Sequence, residues 1–242
     1  MNRLRILKSG EGWVAIQKPP GFHVHSPEES RGGRFRISPV LNCLRLLRVQ
    51  LGRPVFPVHR LDRPTGGIVL FALESSIASA LAQQFSDRTV EKEYIAWVAG
   101  ELPGDLFLDS PMRDSSRAME QEALTRIFPI TATRLDGQIV TLVRANPHTG
   151  RRHQIRRHLK RAGFPILGDA IHGKKSLNEW YACLNQRILI GRLPELALHH
   201  AGIRFREPSS QGHVEVRTRW GGDWLTIFDN QGVCPVSCPR EP

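Results

Sequence analysis

The sequence predicts an α+β protein with a central mixed, mostly antiparallel sheet and flanking helices. Three observations carry that prediction. Short apolar runs of strand length are interspersed irregularly with amphipathic helical stretches, without the βαβα rhythm of a doubly wound parallel sheet. No segment repeats another. No linker divides the 242 residues, which points to one domain over residues 1–228 and a flexible tail over 229–242. A chain of this length buries enough apolar surface to need no disulfide or structural metal.

In chain order, residues 4–8 and 13–17 read as short strands split by a Ser-Gly-Glu-Gly turn. Lys18-Pro19-Pro20-Gly21 can continue neither strand nor helix. Residues 26–37 read as a mobile basic loop. Ser38-Pro39 starts a helix in which Val40, Leu41, Leu44, Leu47 and Leu51 keep helical spacing until Gly52 stops it. Ile68 to Leu73 is a buried strand, followed by a helix from Ser75 to Phe85. Strands are expected over Val90–Ala99 and Ile139–Ala145, a basic helix over Arg151–Ala162, and further strands near 198–205 and 213–218.

Charge narrows the function. Lys and Arg total 34 against 23 acids, a net charge of +11, and 28 of the 34 are arginine. Guanidinium forks match phosphate and stack on bases, so a nucleic acid is the leading partner, with a generally basic proteome as the plain alternative. The longest apolar run, Ile68–Leu73, is far too short for a membrane span. Arg3, Arg5 and Lys8 have no apolar segment behind them, so no signal peptide is expected and the protein reads as cytoplasmic. Cys43, Cys183, Cys234 and Cys238 form no paired framework. The single C-x-x-x-C at 234–238 lacks a second half and reads as reduced thiols rather than a zinc site.

Three constellations could carry chemistry. In His59-Arg60-Leu61-Asp62-Arg63-Pro64-Thr65-Gly66-Gly67 one carboxylate sits between two arginines in a loop entering a buried strand. Flanking cations keep such a carboxylate ionised, as a nucleophile or base requires; an ordinary surface ion pair would look the same. From Arg144 to Arg161 there are seven Lys or Arg, three His and no acid. On a helix, Ile155, Leu159 and Ala162 face inward, while His153, Arg156, Arg157 and Lys160 form a cationic ridge suited to a phosphate backbone. In Glu91-Lys92-Glu93-Tyr94, Tyr94 is one of only two tyrosines, and a strand tyrosine is more often packing than catalysis.

Two look-alikes fail. Gly168 to Ser176 nearly spells a phosphate-binding loop, but Lys175 stands where a Ser or Thr must hold magnesium. His148, His153 and His158 are spaced by five, which does not aim two imidazoles at one ion.

The residues 59–66, Lys92-Glu93-Tyr94 and Gly150-Arg151-Arg152-His153-Gln154-Ile155-Arg156 together resemble the signature of the RluA family of RNA pseudouridine synthases. Lys18-Pro19-Pro20-Gly21-Phe22-His23-Val24-His25 resembles its N-terminal element. Pro165–Asp169, His172-Gly173 and Leu198-His199 resemble its C-terminal elements, so the likeness runs in order over about residues 4–205. Within the family, Arg63-Pro64-Thr65, Leu81–Phe85 and Arg156–Leu159 are similar to the branch that modifies uridine 65 of tRNA. The likeness starts in the catalytic domain, with no S4-type module ahead of it. Gly67, His172 and Arg206-Glu207-Pro208 depart from the usual wording.

The resemblance implies the pseudouridine synthase fold with a catalytic cleft, and an isomerase needing no cofactor, metal or nucleotide. It implies a tRNA substrate, with an rRNA or a dual rRNA and tRNA synthase as the alternative, a flipped-out uridine, and a monomeric enzyme. By resemblance Asp62 is the nucleophile or base, Arg156 its salt-bridge partner, and Tyr94 stacks on the uracil and helps move the carbon-5 proton. Arg60 fills the space left by the flipped nucleotide. His59, Arg63, Arg151, Arg152, His153, Arg157, Lys160 and Arg161 are the expected RNA contacts. A non-catalytic RNA-binding protein is the rival from another class; a binder needs no carboxylate facing RNA. A metal-dependent nuclease would want clustered carboxylates, and the nearest acid to Asp62 is Glu74.

Overall fold

A computed structural model describes residues 3–25, 41–113, 119–187 and 193–218. The loop at 26–37, the start of the first helix at Ser38-Pro39 and the tail at 229–242 lie outside the described residues. The chain divides into two compact units, residues 1–91 with 202–218, and residues 92–201. Both boundaries fall inside strands, so no linker composition marks them.

In the first unit β1 (Arg5–Gly10) and β2 (Trp13–Lys18) form an antiparallel hairpin. The turn needs Gly12, at φ 74, because a Cβ there would run into Ile77. β2 pairs antiparallel with β4 (Gly66–Ala72), whose other edge takes β3 (Phe56–Pro57). Every residue of β4 is buried, which explains its unbroken apolar sequence. Full burial of Ile68, Val69, Leu70 and Phe71 stabilises by about 1.5–3 kcal/mol each.

Helix α1 (Cys43–Leu51) starts where the Asn42 side chain accepts from the Arg45 N–H. It ends at Gly52, left-handed at φ 63, whose N–H closes on Arg48 O. Gln50 on this helix holds the backbone N–H and C=O of Leu4, tying down the start of the chain. Helix α2 (Ser75–Ser86) buries Leu81 against Trp13, Ile68 and Leu70.

The second unit contains β5 (Glu91–Ala99), β6 (Leu106–Leu108), β7 (Met112–Arg113) and β8 (Glu120–Gln121), the last two forming a small hairpin of their own. β9 (Thr125–Leu135) and β10 (Gln138–Pro147) make a long hairpin through Asp136-Gly137. Both turn residues have positive φ, 44 and 80, the geometry that matches the twist of paired strands. The antiparallel order is β5-β10-β9-β6.

Helix α3 (Gln154–Arg161) packs on β9 and β10, and α4 (Lys175–Arg187) packs Tyr181 and Leu184 into the core with Trp97, Ile166 and Leu167. Near the end of the described chain, β11 (Leu198–Arg206) pairs from Gly202 onward with β12 (His213–Arg217) in the first unit. There Phe205 meets Trp13 edge-on at 5.1 Å, and Glu207, one of the departures from the family wording, accepts from Trp13 Nε1 at 2.7 Å.

The elements differ from the sequence expectation in several places, the short strands β3, β6, β7 and β8 among them. The basic helix begins at Gln154 rather than Arg151, because His153 is left-handed at φ 54 and Gln154 Oε1 accepts from Thr149 Oγ1 and the Arg151 N–H. The sequence reading had no strand at 125–135 and no helix at 175–187. Among the described residues no helix is long and apolar enough to cross a membrane.

Candidate active site

In the first unit, Asp62 lies in the loop between β3 and β4, half-buried, with Arg60 and Arg63 exposed beside it. The loop is closed by Thr65 N–H to Asp62 O at 3.1 Å. It is pinned from beneath by Lys18, the last residue of β2. Lys18 is 1% exposed, and its Nζ donates to the carbonyls of Pro19 at 3.1 Å, Phe22 at 2.7 Å and Arg63 at 3.0 Å. Gly21 N–H also donates to Arg63 O, and Arg63 Nε returns a bond to Gly21 O. The Lys18-Pro19-Pro20-Gly21 turn and the Asp62 loop are thus held as one piece.

Burial pushes Lys18 down to about 8, opposed by the fields of Cys43 and Asp62. His59, expected to contact RNA, is tied into the fold. Its Nε2 accepts from Leu70 N–H at 2.9 Å and its ring stacks on Phe85 at 4.9 Å.

In the second unit, Tyr94 is in register with Ala145, and Ala145 with Ile127. These side chains share the sheet face on which α3 sits, where His158 and Gln154 hydrogen-bond Thr125 Oγ1. The Tyr94 ring lies nearly parallel to that of His200, with centroids 4.4 Å apart and planes 17° apart, and His200 is fully buried.

The cationic ridge requires correction. Arg156 is 3% exposed and so is not part of an outward face. It grips Asp169, itself 1% exposed, through Nε at 2.8 Å and Nη2 at 2.7 Å. Asp169 further accepts from the N–H groups of Ile171 and His172. Burial raises its pKa, but the Arg156 hydrogen bond, the His172 N–H and the Arg156 charge outweigh burial and hold it below the usual value.

His153 caps the helix from outside and bonds His172 ring to ring at 2.9 Å. Arg151, Arg157 and Arg161 donate to the carbonyls of Glu122, Arg113 and Pro111, and His158 bridges Thr125 and Ser110. Arg152, Lys160 and Arg161 are exposed. Helix α3 therefore fastens the segments on either side of the β7–β8 hairpin as much as it presents charge.

Lys18 and Asp169 escaped the sequence reading as site residues, although both stand in quoted motifs. A lysine directly before Pro-Pro-Gly at the end of a buried strand was the available signal for the first. The look-alike phosphate loop is a turn built for Asp169: Gly168 is left-handed at φ 74, and a Cβ there would strike Glu195 O.

The fold is that of pseudouridylate synthases. Two human proteins, RNA pseudouridylate synthase domain containing 1 and 4, superpose with TM-scores of 0.69 and 0.67 at 20% and 22% identity. The first match covers 97% of both chains, and the second 93% of this chain and 92% of the other. Residues 12–161 match the RNA pseudouridylate synthase family.

The tRNA pseudouridine synthase C of Pasteurella multocida is 32% identical over 93% of this chain and 95% of its own. The Haemophilus influenzae protein of the same name is 32% identical over 95% and 98%, and the Vibrio cholerae one 32% over 95% and 96%. The chain belongs to the RNA pseudouridylate synthase family and is an isomerase that acts on RNA.

Two expectations follow from the buried cations. Lys18→Met should lower kcat by about 10- to 100-fold with RNA affinity nearly unchanged, since it loosens the loop of Asp62, the residue that the family resemblance makes the nucleophile or base. Lys18 stays protonated to about 10.4 when unfolded, so stability should rise as pH passes from about 8 to 10, by up to about 3 kcal/mol. Burial of Cys43, pushed up to about 11, works in the opposite direction above pH 9. The Lys18 contribution is therefore read as the difference between wild-type and Lys18→Met denaturation curves; parallel curves across that range would contradict it.

Asp169→Leu, by stranding the buried guanidinium, should cost about 3–5 kcal/mol in urea denaturation and most of the activity. The Asp169 contribution should be complete above about pH 4 and disappear only as pH falls through its depressed folded value.

Proposed function

We propose that this chain isomerises uridine to pseudouridine in tRNA, at position 65. The observation carrying this reading is the near-full-length identity of 32% to tRNA pseudouridine synthase C of three bacteria. The net charge of +11 suits a folded polyanion recognised by shape and splayed bases. The enzyme works as a cytoplasmic monomer.

Asp62 starts cleavage of the N-glycosidic bond; the uracil turns and is rejoined to the ribose through carbon 5, which gives up its proton. Attack on the ribose, attack on the base and removal of a ribose proton all need Asp62 ionised. Arg156 is its cation, and the Asp169 grip supports that role by fixing the guanidinium plane while using only its Nε–Nη2 edge. Tyr94 stacks on the uracil and serves the carbon-5 proton as donor or acceptor, with His200 backing its ring. Arg60 fills the vacated stack. Arg63, Arg152, Lys160 and Arg161, all exposed, meet phosphate, while Arg151, His153 and Arg157 contribute from the positions their hydrogen bonds fix.

The test is to incubate wild type and Asp62→Asn with unmodified tRNA and rRNA transcripts, in EDTA and without cofactor, and to map pseudouridine. One new site at position 65 of tRNA is expected with wild type. None is expected with Asp62→Asn, which should still bind. Product confined to rRNA would overturn the substrate, and turnover by Asp62→Asn would overturn the role of Asp62.

A further inference from the structure

The sheet face turned away from Tyr94 carries a ladder that none of this chemistry uses. Arg126 and Phe128 alternate with Thr125 and Ile127 along β9, so they project from the face opposite Tyr94 and α3. Directly across from Arg126 on the edge strand β6 is Phe107, and across from Phe128 on β10 is Arg144. The Arg126 guanidinium lies 5.9 Å from the Phe107 ring centroid, and that of Arg144 lies 5.0 Å from Phe128. Two arginine–aromatic pairs therefore run diagonally over three strands, a strip roughly 10 Å wide.

Phe107 is 58% exposed, and both arginines are exposed. Asp105, just ahead of β6, is exposed, and among the described residues neither guanidinium is in ion-pair contact with a carboxylate.

We infer that this face is a second RNA contact, taking an unpaired segment of the substrate at a distance from the target uridine. An arginine held over an aromatic ring has already given up part of its rotamer freedom. It offers a planar cation for a base to stack on and N–H edges for phosphate. An exposed phenylalanine on a sheet, as Phe107 is, is a platform for a splayed base, and stacking tolerates any sequence. An RNA strand running from the Tyr94 face to this one must cross from β5 to the β6 edge and round it, roughly 25 Å. The contact therefore falls several nucleotides from the reacting one. The inference rests only on the chain acting on RNA, not on which RNA that is.

The experiment measures fluorescence anisotropy with a labelled decamer of uridine and with a folded tRNA transcript across a salt series, alongside melting temperatures. Arg126→Gln with Arg144→Gln should weaken binding of both probes about tenfold and flatten the salt slope by about 1.4, two phosphates at about 0.7 each. Phe107→Ala should lose about tenfold without changing the slope, and Asp105→Asn should tighten binding. Turnover at saturating RNA should stay at the wild-type level in all three. Benzophenone placed at position 107 in the otherwise wild-type protein should crosslink to the RNA.

Unchanged affinities with a lowered melting temperature would overturn the inference and leave the ladder as strand-to-strand stabilisation. Crosslinks to protein and none to RNA would also overturn it. Failure of the tRNA assignment would show separately, as loss of the position 65 product with decamer binding intact.

Discussion

A guanidinium and a carboxylate, each all but excluded from water, face each other through two hydrogen bonds between Arg156 and Asp169. An isolated charge of either sign would be prohibitive at such depth. The pair is tolerable because its remaining lone pairs are met: Asp169 also takes the backbone N–H groups of Ile171 and His172, and the turn they belong to exists because Gly168 is left-handed. Buried pairs of this kind rarely stabilise more than an apolar substitute would. What this one supplies is direction. It fixes the plane of the Arg156 cation on helix α3.

The other unit has its own buried cation, and the logic is parallel. Lys18 gathers three carbonyls from two loops, one of them on the residue next to Asp62. A compact ammonium with three donors suits this task better than a guanidinium fork. That explains why one of the few lysines of an arginine-dominated chain sits here. In each unit a charge inside the fold fixes one group assigned chemistry: Lys18 holds the Asp62 loop, and Asp169 holds the Arg156 side chain on helix α3.

Much of this was legible in the sequence, and the failures have physical causes. β4 announced itself because burial on both faces leaves an unbroken apolar run, and α1 ended at Gly52 as its left-handed cap requires. β9 was missed because Arg126 and Arg134 break its apolar and β-branched residues on both sides of an irregularity in the pairing with β10. The Asp136-Gly137 turn ahead of β10 was the signal for it. α4 hid behind the phosphate-loop look-alike, although Leu177, Trp180, Tyr181 and Leu184 keep helical spacing.

The ridge misled for a sharper reason. A helical wheel cannot tell an arginine that faces water from one that faces a buried carboxylate thirteen residues further on. Nor did residue spacing reveal that His153 lies outside the helix, since only the left-handed backbone there moves its ring toward His172. The motifs named Asp62, Tyr94 and Arg156; what holds them could only come from the fold.

The most direct test of this account is a double-mutant cycle on the buried pair, reading stability and turnover together in Arg156→Met, Asp169→Leu and the double variant. If Asp169 serves to aim a cation, the double variant should recover most of the stability lost by either single change, as apolar replacements of buried pairs do. Its turnover should stay as low as that of Arg156→Met. Recovery of turnover along with stability would mean that the pair only fills space in the fold, and the account of the site would fail.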